Sequence, residues 1–201
     1  MCLAHHLRAT QMADATARVS TGIPGGESPS PVLRQRDVLG QIDVMLGLEL
    51  LHLFDALNVR ESDTMITGKT LPEVIPVADF KIGLAICYDL RFPELYRMMG
   101  KVDIILAPAA FTAITGKAHW ETLVRARAIE NQAYLIASAQ GGFHVNGRET
   151  NGDSMIVDPW GAVLERLPRG AGVVVADIDH AYQTSVRASL PALEHRCLLP
   201  C

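Results

Sequence analysis

The stretch KIGLAICYDLRFPELYR, residues 81–97, decides the fold class of this chain. It opens with a short and almost continuous apolar run, Lys81–Cys87, which is typical of a strand buried on both faces. Pro93 suits the first turn of a helix, and Gly100 suits the end of that helix. A second apolar run, Val102–Leu106, follows closely. The order strand, helix, strand predicts two parallel strands joined by a helical crossover, and therefore an α/β fold.

The rest of the chain continues the alternation of helices and strands. Apolar residues recur at helical spacing on one face of a predicted helix, at Trp120, Leu123, Val124 and Ala128. The turn sequence Asp158-Pro-Trp-Gly161 joins two runs, Ser154–Val157 and Ala162–Leu167, and predicts a hairpin. Further strands are predicted over Ala133–Ala139 and Val173–Ile178, and a last helix over Ala181–Leu190.

Length, composition and charge exclude several classes of protein. The chain has 201 residues, 49% of them hydrophobic and 20% charged, which indicates one globular domain rather than a disordered or collagen-like chain. Its net charge of −4 argues against a nucleic-acid partner. No apolar run reaches the ~18 residues that a membrane helix needs, so no membrane partner is expected.

Residues 1–36 and residues 37–201 differ in the structure that their sequences predict. Residues 1–36 are rich in turn and linker signals and predict a loose, atypical segment, whereas residues 37–201 predict the folded domain. The four cysteines, Cys2, Cys87, Cys197 and Cys201, form no CxxC pair, which favours a reduced, cytoplasmic setting. Cys2, His5 and His6 lack a further ligand at a standard spacing, so no metal site is predicted.

Cys87 carries the strongest chemical signal. It ends the predicted strand and precedes a helix, where backbone N–H groups can stabilise a thiolate and a developing oxyanion. A cysteine in such a place is also often a small core residue, and both interpretations stay open on spacing alone. A nucleophile needs a base, and the sequence offers His52, His119, His144 and Glu61 without choosing among them.

Several long motifs in a fixed order resolve this ambiguity. Residues 81–97, AFTAITGKAHWETLVRARAIENQAYLIASAQ (110–140) and GDSMIVDPWGAVLERL (152–167) resemble the nitrilase, or carbon–nitrogen hydrolase, superfamily, and most closely its Nit branch. His52–Asp55 and Arg60–Ser62 match two further motifs of that branch. The resemblance covers about residues 37–196 and implies an α-β-β-α sandwich that is incomplete at its N-terminal side.

The resemblance also implies a reaction and a set of site residues. Family members hydrolyse small-molecule amides without a cofactor or metal, through attack of a cysteine, loss of ammonia and hydrolysis of a thioester. They use a Glu–Lys–Cys set and assemble as homodimers or larger homo-oligomers. Carried over, the resemblance assigns Cys87 as nucleophile, Glu61 as a second acid beside it, the Tyr88 N–H as oxyanion donor, and Phe111, Thr112 and Trp120 as substrate-binding residues.

Two catalytic positions depart from the family pattern. Leu50 stands where the family has its lysine, and no strand ending in a Pro-Glu pair occurs within residues 1–36 to supply the first glutamate. Three hypotheses follow: an amidase of the Nit type that is crippled or incomplete, a non-catalytic partner subunit that keeps the fold, and a truncated or frame-shifted translation of a longer enzyme.

Overall fold

The computed structural model describes residues 14–20, 32–34, 74–145 and 147–197. Three α-helices lie in this part of the chain: α1 (Pro93–Met98), α2 (Ala113–Asn131) and α3 (His180–Ser189), with a 3-10 helix over Cys87–Arg91. The strands are β1 (Asp14–Ser20), β2 (Val32–Arg34), β3 (Val74–Val77), β4 (Phe80–Leu84), β5 (Ile104–Leu106), β6 (Tyr134–Ala137), β7 (Gly141–Phe143), β8 (Glu149–Asn151), β9 (Ser154–Val157), β10 (Val163–Leu167) and β11 (Val173–Asp179).

The central element is a six-stranded sheet with the order β10-β9-β6-β5-β4-β3. β4, β5 and β6 are parallel, whereas β3, β9 and β10 join through antiparallel pairs. The predicted parallel strand–helix–strand unit is therefore confirmed, with α1 as its crossover helix. The predicted hairpin around residues 158–161 is also confirmed, since the Asp158 Oδ1 accepts hydrogen bonds from the N–H groups of Trp160 and Ala162.

One face of this sheet packs against helices. The apolar face of α2 contributes the buried residues Trp120, Val124 and Ala128, and α1 contributes Tyr96. These side chains share one core cluster with Ile105 and Leu135 of β5 and β6. The helical spacing at residues 120–128 thus identified the buried face of α2 correctly, and Glu121 and Arg125 form an i,i+4 ion pair on a more exposed face.

The opposite face of the sheet packs against a second, three-stranded sheet with the order β11-β1-β2. Val174, Ala176 and Ile178 alternate along β11 with exposed residues, and they join Ile104 and Ile136 in a second core cluster. This period of two is what a strand with one buried face requires. The layer order helix, sheet, sheet confirms the predicted α/β class.

β1 and β2 lie inside residues 1–36, where the sequence predicts turns and linkers. β1 pairs in parallel with all of β11, and β2 pairs antiparallel with β1. The sequence of β1, DATARVS, does alternate polar and apolar residues, but two of its three apolar residues are alanines, which are depleted in strands, so the strand signal is weak. The division of the chain at residue 37 stays a prediction.

Two further elements are absent from the sequence-based prediction. β3 is a four-residue edge strand that contains the exposed Pro76, and proline weakens any strand signal. The ribbon of β7 and β8 has three residues in each strand and begins with Gly141 and Gly142, so its sequence resembles a loop. Elsewhere the predicted bounds differ from the observed ones by at most three residues, and those of β9 agree.

α3 packs across the amino ends of the parallel strands, which we call the anchored end. The Gln183 Nε2 donates to the backbone oxygens of Asp103 and Gln132, just ahead of β5 and β6. Arg187 adds a bond from Nη1 to Asp103 Oδ1 of 3.1 Å. The opposite edge, at the carboxyl ends of β4, β5 and β6, is called the site end. Within the described ranges, no helix combines the length and hydropathy needed to cross a bilayer.

Candidate active site

Cys87 lies at the site end, three residues after β4. Its N–H donates to Pro108 O at 2.8 Å, and the Ala85 N–H donates to Leu106 O at 2.9 Å, so the parallel ladder continues beyond the regular strands. The backbone then turns sharply, because Cys87 has a φ of 45° and opens the 3-10 helix. A positive φ strains a residue that carries a Cβ, and such strain concentrates at functional sites. The predicted strand-to-helix bend at Cys87 is confirmed.

The 3-10 helix after Cys87 is held at both ends. The Asp89 Oδ2 accepts a hydrogen bond from the Ile86 N–H at 2.8 Å. Burial raises the pKa of this carboxyl above its usual value, and the bond from Ile86 opposes part of the shift. From α2, the buried Arg127 donates through Nε to Leu90 O at 3.0 Å and pairs with Glu130. These bonds fix the turn that presents Cys87.

Arg91 lies between two aromatic rings of the site. Its Cζ is 5.5 Å from the ring centroid of Tyr88 and 5.0 Å from that of Phe111. Its Nη1 is 3.3 Å from the Nδ1 of His119. A cation over an aromatic face is attracted by the ring quadrupole. Sequence reasoning did not single out Arg91, because no local spacing connects it with a ring twenty positions further along the chain.

Phe111 and Trp120 form an edge-to-face pair with centroids 5.1 Å apart, in the same buried cluster as Cys87. Only 1% of Trp120 is exposed, and its indole N–H donates to Asp153 O at 2.6 Å. Phe111 is 4% exposed and touches both Arg91 and Trp120. Trp120 therefore forms a layer behind Phe111, which favours a packing role for it.

Thr112 is the N-cap of α2. Its Oγ1 accepts a hydrogen bond from the Thr115 N–H at 3.3 Å and lies 2.8 Å from the Thr115 Oγ1. It also forms an isolated bridge with Thr150 of β8. Thr112 is buried, so the geometry gives it a clear structural role at the start of α2.

Arg148 brings a second guanidinium group to the site end, from the segment just before β8. Its Nη2 donates to Ala110 O at 3.3 Å, next to Phe111. Burial lowers the pKa of this guanidinium, and the negative charge of a Cys87 thiolate would oppose that shift. Arg148 and Cys87 thus lie near enough for their charges to interact. No motif or spacing in the sequence distinguishes this arginine from the others.

Of the four candidate bases named from the sequence, two lie in the described residues and two do not. His119 and His144 have other partners, since His119 contacts Arg91 and the Nε2 of His144 lies 3.0 Å from the Thr150 Oγ1. Glu61 and His52 lie outside the described residues, as does Leu50. In the part of the chain with described coordinates, no group of three or more histidine, cysteine or acidic side chains is arranged to hold a metal ion.

Comparison with known proteins shows which family and which relatives this chain resembles. The family model described as carbon-nitrogen hydrolase matches residues 49–188. The deaminated glutathione amidase of Synechocystis sp. is 46% identical over 154 residues, which are 72% of this chain and 56% of the relative. The human deaminated glutathione amidase is 46% identical over 138 residues, 68% of this chain and 42% of the relative. The chain spans about half the length of the curated relatives it matches.

Solved structures share the fold. The crystal structure of the C. elegans NitFhit protein has a TM-score of 0.61 and 41% identity, covering 73% of this chain and 37% of that one. The E41Q mutant of the amidase from Nesterenkonia sp. has a TM-score of 0.50 and 27% identity, covering 55% and 42%. In that structure the acetamide moiety of fluoroacetamide is covalently added to the active-site cysteine.

Proposed function

Because the chain belongs to the carbon-nitrogen hydrolase family, we propose that it hydrolyses an amide bond in a small carboxylate-bearing molecule such as deaminated glutathione. Cys87 is the nucleophile in this proposal. The observation that carries it is the geometry of Cys87, a strained and buried cysteine at the site end of the sheet, with a guanidinium close enough to interact with its thiolate. The curated relatives, which are named amidases, support the same reaction.

The first chemical step forms a thioester. The Cys87 sulfur attacks the amide carbonyl carbon, the C–N bond breaks, and the amine leaves with a proton; from a primary amide this amine is ammonia. The Cys87 N–H is bound to Pro108 O, so we propose the next backbone donor, the Tyr88 N–H, for the developing oxyanion. Water then attacks the thioester, which releases the carboxylate and restores the thiol.

The proton transfers need an acid or base beside the sulfur. We propose Glu61 for this role on the family resemblance, and its position lies outside the described residues. Phe111 is the substrate-facing aromatic side chain in this proposal, with Trp120 supporting it from behind. Thr112 contributes by fixing the start of α2 next to Phe111.

Product formation from deaminated glutathione tests this proposal. The purified chain should release the carboxylic acid and the free amine, which mass spectrometry can quantify together. We expect Cys87→Ala to lower the rate by at least ~10³-fold, since removing a covalent nucleophile costs this much or more. Cys197→Ala is the matched control, because Cys197 is an exposed free thiol and its loss should leave the rate unchanged. Failure of the unmodified chain to exceed a buffer blank would contradict the proposal.

A second candidate function is favoured by Leu50. Loss of a cationic oxyanion donor typically lowers an enzymatic rate by ~10²–10³-fold, so a chain without the family lysine can retain the fold as a non-catalytic subunit. This alternative predicts a folded chain of defined stoichiometry with no turnover. Restoring the cation by Leu50→Lys separates the two: a rise in turnover supports a crippled amidase, and no rise supports a non-catalytic subunit.

We also propose that the chain associates with itself as a homodimer or a larger homo-oligomer, as the resemblance to the family implies. Light scattering coupled to size-exclusion chromatography measures the mass directly. A particle of one chain mass at micromolar concentration would contradict this proposal.

A further inference from the structure

Arg127 of α2 forms a long-range hydrogen bond to the short helix that begins at Cys87. Its Nε donates to Leu90 O at 3.0 Å, and Leu90 lies within the 3-10 helix Cys87–Arg91. Both Arg127 and Leu90 are buried. A bond between two buried groups of different elements restricts how those elements move relative to each other. Arg127 therefore couples the long helix α2 to the backbone that carries the nucleophile.

The Leu90 carbonyl group lies where the 3-10 pattern of hydrogen bonds ends. In a 3-10 helix, each carbonyl oxygen accepts from the N–H group three residues further along the chain. For Leu90 that residue is Pro93, which has no N–H group. Leu90 is 0% exposed, and a buried carbonyl without a donor costs free energy. The Arg127 Nε supplies a donor from another element, so the end of the 3-10 helix depends on α2.

Two further contacts hold the guanidinium group of Arg127. Its Nη1 pairs with Glu130 Oε1 at 2.6 Å, and its Cζ lies 5.4 Å from the ring centroid of the buried Tyr96 in α1. Because the guanidinium group is planar and its N–H groups have fixed directions, these contacts also fix the direction of the Nε donor. Arg127 thus joins α1, α2 and the 3-10 helix in one arrangement.

We propose that Arg127 is a positioning residue of the reaction, which fixes the direction of the Cys87 sulfur without contacting the substrate. The inference rests on the proposed function, which makes Cys87 the nucleophile. Cys87 has a φ of 45°, and a residue keeps such a conformation only where its surroundings impose it. The bond from Arg127 to Leu90 O supplies part of this constraint. Without it the turn relaxes, and a displacement of about 1 Å at a reacting atom can cost ~10²-fold in rate.

The rate at which fluoroacetamide modifies Cys87 tests this inference without requiring turnover. The thiolate forms a C–S bond to the methylene carbon, the C–F bond breaks, and fluoride leaves. Peptide mass spectrometry follows the modification with time. We expect Arg127→Met, which keeps a long side chain but has no donor, to lower the rate by ~10–100-fold. Arg127→Lys keeps a donor but not the planar group, so it should recover part of the rate.

Arg187→Met is the matched control. Arg187 is also shielded from water, pairs with a carboxylate and donates to a backbone oxygen, but it lies at the anchored end. Its loss should lower the free energy of unfolding and leave the modification rate unchanged. Because Arg127→Met removes the cation that pairs with the partly buried Glu130, the double variant Arg127→Met/Glu130→Gln removes both charges and protects the test against unfolding. Circular dichroism checks the fold of each variant.

Steady-state kinetics give a second readout that a purely structural role would not change. In the folded Arg127→Met variant, the kcat for deaminated glutathione should fall together with the modification rate, whereas KM should stay unchanged. A raised KM with an unchanged kcat would contradict a positioning role.

The outcomes separate this inference from the proposed function. Equal modification rates in the native chain and in Arg127→Met, equal losses in Arg127→Met and Arg187→Met, or no modification of Cys87 in the native chain would overturn the role of Arg127. If the modification rate depends on Arg127 as expected while the native chain forms no product, then the proposed hydrolysis fails and the positioning role stands.

Discussion

The two ends of the parallel strands satisfy their polar groups in different ways. At the anchored end, Arg187 donates to Asp103 Oδ1, Gln132 O and Val102 O, and Gln183 bonds two of the same residues. At the site end, Cys87 has a strained backbone, and Arg91 contacts two aromatic rings and, among the described residues, no carboxylate. The same sheet therefore has one end that is cross-linked by side-chain hydrogen bonds, although the buried Oε1 atoms of Gln132 and Gln183 have no partner among the described residues, and one end where Cys87 retains backbone strain.

This difference assigns the two ends to different tasks. A buried network whose members bond one another stabilises the fold and offers nothing to a ligand. Backbone strain such as that at Cys87, the proposed nucleophile, costs stability and concentrates at functional sites. Changes at the anchored end should therefore lower stability without altering chemistry, whereas changes at the site end should alter chemistry.

The largest effect on stability is expected from Trp120→Ala, which removes the layer behind Phe111. The side chain is 1% exposed, and deleting a buried tryptophan costs about 3–5 kcal/mol in free energy of unfolding. Chemical denaturation measures the loss. Trp160→Ala is the control, because Trp160 is 59% exposed and its loss should stay within about 0.5 kcal/mol. Similar losses for the two tryptophans would show that Phe111 lacks this support.

Asp103→Ala tests the anchored end. It removes the acceptor of Arg187 Nη1 and of the Lys81 N–H, both largely shielded from water, and should cost about 2–4 kcal/mol. The kcat/KM of the folded variant should stay unchanged below its unfolding temperature. Glu194→Gln breaks an exposed pair with Lys101 and should leave the Tm unchanged. A loss of kcat/KM in Asp103→Ala would contradict the separation of the two ends.

Strain at the nucleophile can be measured by comparing two inactive variants. Glycine adopts the φ of 45° at position 87 without strain, whereas alanine adopts it only at a cost, so Cys87→Gly should be more stable than Cys87→Ala by about 0.5–1 kcal/mol. Ala78→Gly provides a reference, since Ala78 has a φ of 51° in an exposed turn. If Cys87→Gly is the less stable of the pair, the site end stores no backbone strain.

The smallest expected effect is a change in how the free energy of unfolding depends on pH. Burial raises the pKa of Asp89, so the native state binds this proton more tightly than the unfolded state does. Stability should therefore fall as the pH rises from the ordinary carboxyl pKa through the raised one. In Asp89→Asn the side chain cannot ionise, but it can still accept a hydrogen bond from the Ile86 N–H. This part of the dependence of stability on pH should therefore disappear. Asp79→Asn, an exposed change, serves as the control, and an unaltered slope in Asp89→Asn would refute the assignment.

Sequence reasoning succeeded where a feature is local and failed where it joins distant segments. The run at residues 81–87 and the spacing of Trp120 and Val124 follow the periods of buried strands and helices, and both predictions are confirmed. The position of Arg91 depends on Phe111, which reaches it only through the parallel order of β4 and β5. β7 and β8 are stabilised by pairing with each other, and a strand of three residues is too short to show an alternating pattern in the sequence.

Labelling by fluoroacetamide tests the central claim, that Cys87 is the activated nucleophile, most directly. Displacement of fluoride by a thiolate joins the acetamide group to sulfur, and peptide mass spectrometry identifies the cysteine that reacts. Cys87 is 5% exposed whereas Cys197 is exposed, so accessibility alone would direct the label to Cys197. We expect Cys87 to be modified first, and Arg148→Gln to slow this modification. Faster modification of Cys197, with Cys87 unmodified in the folded chain, would contradict it.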